Sequence, residues 1–105
     1  MDYTESINQS IDYINAHLKE DLTAEKIASY VGYSVFHFCR IFKEYSGKSL
    51  MRFVRERRLE TAEKEVENGC RLCEVACKYG FETASGFSRA YEKKFGARPA
   101  KRMNA

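Results

Sequence analysis

Residues 28–47, ASYVGYSVFHFCRIFKEYSG, decide how this chain folds, and residues 76–96, ACKYGFETASGFSRAYEKKFG, repeat the statement. Ala28, Val31, Gly32 and Tyr33 return 48 residues later as Ala76, Tyr79, Gly80 and Phe81. Phe38, Arg40, Phe42 and Gly47 return 49 residues later as Phe87, Arg89, Tyr91 and Gly96. One residue is therefore inserted in the turn of the second copy. Each copy reads as a helix, a glycine turn, and a second helix with one apolar and one basic face. That is the layout of a DNA-binding helix-turn-helix.

The flanking sequence extends the pattern. Ile7, Ile11, Ile14 and Leu18 fall at i, i+4, i+7, i+11 and predict an amphipathic helix over residues 3–19. Thr23 suits an N-cap for a short helix over 24–31 that buries Ile27, Ala28 and Val31. Ser34 caps a helix over 35–45 with Phe38, Ile41, Phe42 and Tyr45 as its core stripe. Ser49 opens a long helix to residue 68, with Leu50, Phe53, Val54, Leu59, Ala62 and Val66 inward. Its outer face, Arg52, Arg55, Glu56, Arg57 and Arg58, shows no clean partner pattern.

The second half follows suit. Leu72, Val75, Ala76 and Tyr79 face inward, and Thr83 or Glu82 caps a helix to Phe95 that buries Phe87, Ala90, Tyr91 and Phe95. Pro99 opens a last short turn, where its missing N–H does no harm. No stretch alternates as a strand would. The expected class is all-α, about seven helices. A helix-turn-helix subdomain at 3–47, a linker helix at 49–68 and a second subdomain at 69–103 make it up.

Composition narrows the function classes. The net charge is only +3, but it is unevenly spread. Residues 1–38 hold 2 basic and 6 acidic side chains; residues 39–105 hold 16 and 9. The later part can present a cationic face to phosphates. No apolar run approaches the length of a membrane span. The N-terminus has no export pattern, so a cytoplasmic location with four reduced cysteines is expected. No Ser/His/acid set, phosphate-binding glycine loop or paired inward carboxylate is present, so an enzyme is not expected.

With these residues in hand, the chain resembles the DNA-binding domain of the arabinose-regulator (AraC/XylS) family of bacterial transcription factors. The likeness runs over roughly residues 7–100. It rests on Asp21-Leu22-Thr23, Ile27-Ala28, Val31-Gly32-Tyr33-Ser34, the run from Phe38 to Glu44, Gly47, Arg58-Leu59 and Ala62. It continues through Val75-Ala76, Tyr79-Gly80-Phe81-Glu82, Phe87-Ser88-Arg89-Ala90-Tyr91, Phe95-Gly96 and Pro99. The resemblance implies two helix-turn-helix subdomains joined by a long helix, with recognition helices at about 35–45 and 84–95 in successive major grooves. It implies double-stranded DNA at a bipartite promoter or operator site as partner, RNA polymerase beside it, and a fused or separate effector-sensing domain. The chain is then either a short independent regulator, an activator by expectation, or the N-terminal piece of a longer one. Two departures stand out. Arg102 and Met103 replace an aromatic and an arginine, and Cys39, Ala84 and Ser85 are small where the family favours large polar side chains.

The candidate base-reading residues are Phe36, Cys39 and Arg40 in the first unit and Ala84, Ser85, Ser88 and Arg89 in the second. Arginine reaches guanine O6 and N7 bidentately, and Phe or Ala can touch a thymine methyl. The candidate phosphate contacts are Ser34, Lys43, Lys48, Arg52, Thr83, Lys93, Lys94 and Arg98. Cys70, Cys73 and Cys77 are spaced C-x2-C-x3-C, but zinc takes four ligands and both histidines lie in the first half. No metal or cofactor is expected. The competing reading is a helical protein-interaction or thiol-based redox module without specific DNA binding.

Overall fold

Helix α1, Thr4–Ala16, starts where the Asp2 carboxylate accepts hydrogen bonds from the Thr4 N–H and hydroxyl. Those two bonds hold the Asp2 carboxyl below its ordinary value. Five more helices follow in the computed structural model, which describes residues 2–96: α2, Ala24–Val31; α3, Val35–Ser46; α4, Leu50–Glu67; α5, Leu72–Lys78; and α6, Ala84–Phe95. There is no strand among the described residues. The all-α class and the helical repeat hold. The expected seventh element, at Pro99, lies outside the described residues, as do Arg98, Arg102 and Met103.

Local chemistry explains the boundaries. The hydroxyls of Thr23, Ser34 and Thr83 accept from the backbone N–H groups of Lys26, His37 and Gly86, capping α2, α3 and α6. Thr83, not Glu82, is thus the cap of α6. Left-handed glycines end the first helix of each repeat: Gly32 at φ +83° and Gly80 at φ +82°. The closing bonds match as well. Tyr33 N–H donates to the Ala28 carbonyl and Phe81 N–H to that of Ala76, each at 3.0 Å. α1 stops at Ala16 rather than at residue 19. There the His17 N–H turns to the Ile14 carbonyl, three residues back, and the tightened turn breaks the helix while Leu18 stays buried.

The chain forms two compact units, Met1–Arg55 and Glu56–Ala105, and the boundary falls within α4. In the first unit α2 packs on both α1 and α3. Ile7, Ile14, Ile27, Phe38, Phe42 and Val54 are almost fully buried there. Each such apolar side chain contributes about 1.5–3 kcal/mol. The ring of Phe42 meets Phe53 of α4 edge-on at 5.3 Å. In the second unit α5 packs on α6. Val66, Val75, Ala76, Tyr79, Phe87 and Tyr91 are buried.

Several expected core positions are only half-covered. Tyr45 is 55% exposed, because Phe42 and Phe53 close the core one turn earlier and Gly47 then leads the chain into α4. Ile11, Val31, Leu72, Ala90 and Phe95 are half-buried. Ser10 takes an inner place on α1 instead, its hydroxyl donating to the Ile7 carbonyl at 2.6 Å. A hydroxyl satisfied in this way is tolerated in a core. On α4, Arg57 and Arg58 are half-buried, and Arg57 pairs with Glu60 at 2.8 Å, a partner the sequence reading did not find.

A candidate nucleic-acid interface

α3 divides cleanly. Phe38, Ile41 and Phe42 go to the core. Phe36, Arg40 and Lys43, at i, i+4 and i+7, form an exposed stripe on the other side. Phe36 is the most exposed large apolar side chain of the described residues, at 88%. Its ring adds nothing to the core and is open to a partner that would bury it. His37 does not share that face; it packs edge-on against Tyr33 and Tyr3, fixing the entry to α3. Cys39 is half-buried, and burial, then the Glu25 carboxylate, pushes its thiol above the ordinary value. It is a neutral, short group at the edge of the stripe.

α6 repeats the division with other residues. Phe87 and Tyr91 are buried, with rings 5.8 Å apart as Phe38 and Phe42 are at 6.1 Å. Ser85, Arg89 and Glu92 occupy the stripe that Phe36, Arg40 and Lys43 form on α3. Ala84 and Ser88 are half-buried at its edge, and Lys93 is exposed beside it. Lys94 faces its own unit: its ammonium stands 3.8 Å from the Glu60 carboxylate and 5.7 Å from the Phe95 ring centre.

Among the other expected phosphate contacts, Ser34, Thr83 and Arg52 are exposed and Lys48 is half-buried. Ser34 and Thr83 are the N-caps of α3 and α6, and a helix start is a setting that favours anions. Each unit thus brings a cap hydroxyl, a helix start and an arginine to one face. That recurrence is the geometry of a helix-turn-helix, and the helix-turn-helix domain family matches residues 27–104. The chain belongs to the AraC-type helix-turn-helix family.

Among relatives of this AraC-type domain, the probable transcription factor PqrA of Proteus vulgaris is 35% identical over 98 residues, covering 90% of this chain and 80% of PqrA. The HTH-type transcriptional regulator YbfP of Bacillus subtilis is 32% identical over 100 residues, which cover 94% of this chain but 34% of YbfP. The chain therefore spans most of one relative and about a third of the other. A solved AraC-type regulator from Chromobacterium violaceum shares the fold at a TM-score of 0.90 and 24% identity, over 96% of this chain and 91% of that one.

Sequence reasoning missed what holds α5 in the AraC-type domain. Glu65 of α4 receives Lys78 at 3.3 Å and acts on the buried Tyr79 phenol. Burial first, then the influence of Glu65, drives that phenol far above its ordinary value, so it stays protonated. Glu65 lies 13 residues from Lys78, across a turn, and no local pattern announces the pairing. No helix of the described residues is long and apolar enough to cross a membrane.

Proposed function

We propose that this chain is a sequence-specific, double-stranded DNA-binding transcription regulator that places α3 and α6 in successive major grooves. The observation that carries this reading is the repeated surface. Two capped helices of 12 residues, each led in by the same left-handed glycine turn, expose an arginine at the same register. Membership in the AraC-type family supports it. Subdomains 3–47 and 69–103 each engage a half-site, and the helix at 49–68 joins them.

In the first unit Arg40 reads a guanine, Phe36 covers a thymine methyl, and Cys39 lines the edge. In the second, Arg89 reads a base, with Ala84, Ser85 and Ser88 close to the base edges. Ser34, Lys43, Lys48, Arg52, Thr83, Lys93 and Arg98 hold phosphates, which positions the protein without selecting sequence. Lys94 joins them by giving up its Glu60 contact. RNA polymerase and an effector-sensing domain are the further partners of this reading, in the cytoplasm.

Spacing tests it. A monomer should protect about 20 base pairs, with half-sites one helical turn apart. Inserting about five base pairs between them turns one half-site to the opposite face of the duplex and should abolish tight binding in a titration. Unchanged affinity after the insertion refutes the two-unit reading.

A further inference from the structure

Cys73 and Cys77 are both exposed, one helical turn apart on α5, and the interface described above uses neither. Side chains at i and i+4 have Cβ atoms about 5–6 Å apart. A disulfide needs about 3.5–4.5 Å between the same atoms, so the pair cannot close on itself without bending the helix. A bridging atom between the sulfurs removes that mismatch. No group of three or more His, Cys, Asp or Glu among the described residues is arranged to hold a metal ion, so a four-ligand tetrahedral ion is not served. Any bridging ligand must be satisfied by two thiolates. Residues 73 and 77 share one helix face, so a single thiophilic atom that accepts two sulfurs can join them.

We propose that Cys73 and Cys77 form a dithiol site for monosubstituted trivalent arsenicals, thiophiles that carry their own third substituent on a pyramidal centre. Two As–S bonds form and the arsenic–oxygen bonds of the arsenous group break. The oxygen leaves as water with both thiol protons. Arsenic stays trivalent and neither sulfur is oxidised, so no further reactant is needed.

α5 is the helix on which such a bridge has most effect. Its seven residues are few for a self-supporting helix, and its N-cap, Arg71, makes no side-chain cap bond. α2, α3 and α6 each have one. A clamp from residue 73 to residue 77 spans a full turn and holds α5 helical.

The test is titration of the full chain with phenylarsine oxide in excess monothiol, read by intact mass and by amide exchange across residues 72–78. One equivalent should bind, with the mass of the arsenical less one water, and come off with a 1,2-dithiol. Exchange in α5 should slow by about tenfold. Cys73→Ser and Cys77→Ser should each lose the adduct, while Cys39→Ser and Cys70→Ser keep it; circular dichroism checks that all four fold. Retention of the adduct by either of the first two variants overturns the proposal. So does its loss in Cys70→Ser, or α5 exchange that is unchanged or faster in the bridged protein.

Discussion

α2 begins at Thr23, whose hydroxyl caps the helix, and buried Leu22 precedes it at the position that packs on Ile27 in a hydrophobic staple. The matching start in the second unit is Arg71, with no side-chain cap bond, preceded by half-buried Cys70. At the other end both helices are held, by different means. Tyr79 and Lys78 close α5 onto Glu65, whereas Tyr30 near the end of α2 stacks on Tyr13 of α1 at 4.4 Å. The first unit therefore fastens its leading helix at both ends, and the second fastens it at the finish. The same plan of turns and rings survives both solutions, so the repeat constrains backbone and core more tightly than the means of anchoring. The outward stripes differ too. Phe36, Arg40 and Lys43 face out on α3, and Ser85, Arg89 and Glu92 on α6. The ring is lost, one charge is reversed, and only the arginine is common.

The largest test of this contrast is on DNA. Scrambling the half-site read by α3 should cost several kcal/mol, because a ring and a long donor both lose their partners. Scrambling the half-site read by α6 should cost about 1–2 kcal/mol, near one mismatch. Titrations at one fixed salt concentration compare them, and equal penalties would erase the asymmetry. Next comes the shared arginine. Arg40→Ala should cost about 1–3 kcal/mol and relax preference at one base pair. Lys93→Ala should weaken all sequences alike and lower the salt slope by about one unit. A base-substitution panel distinguishes the two, and uniform losses for Arg40→Ala would move that residue to the phosphate class. The smallest effect concerns anchoring. Thr23→Ala should destabilise the first unit by about 1 kcal/mol, while Arg71→Thr should stabilise the second by a similar amount. Urea unfolding with amide exchange as the local readout checks both signs.

Much of this was legible in the sequence because it depends on residues within one turn of each other. Caps at Thr23, Ser34 and Thr83, glycines 32 and 80, and the buried faces of α3 and α6 are of that kind. What escaped depends on which element lies opposite. Tyr45 has the right spacing for burial but outruns the core, and Ser10 is buried because its hydroxyl finds a carbonyl within its own helix. At the candidate interface, the exposed register of Phe36, Arg40, Ser85 and Arg89 followed from periodicity. The turn of Lys94 toward Glu60 and the influence of Glu25 on Cys39 did not, since both partners come from other helices.

The turn at Gly32 has a consequence for chemical synthesis. Nothing lies within 4 Å of where the β-carbon of an L residue would project from it, so space is no obstacle to L-alanine there. Its φ of +83° is the obstacle, and that is a matter of chirality. An L-amino acid of any size is strained at this position, whereas a D-alanine has the matching handedness. A synthetic chain with D-alanine at 32 should keep the turn and lose part of the unfolded-state freedom that glycine allows. The two mirror-related alanines, placed at one site, would then separate handedness from bulk in a way that no genetically encoded substitution can.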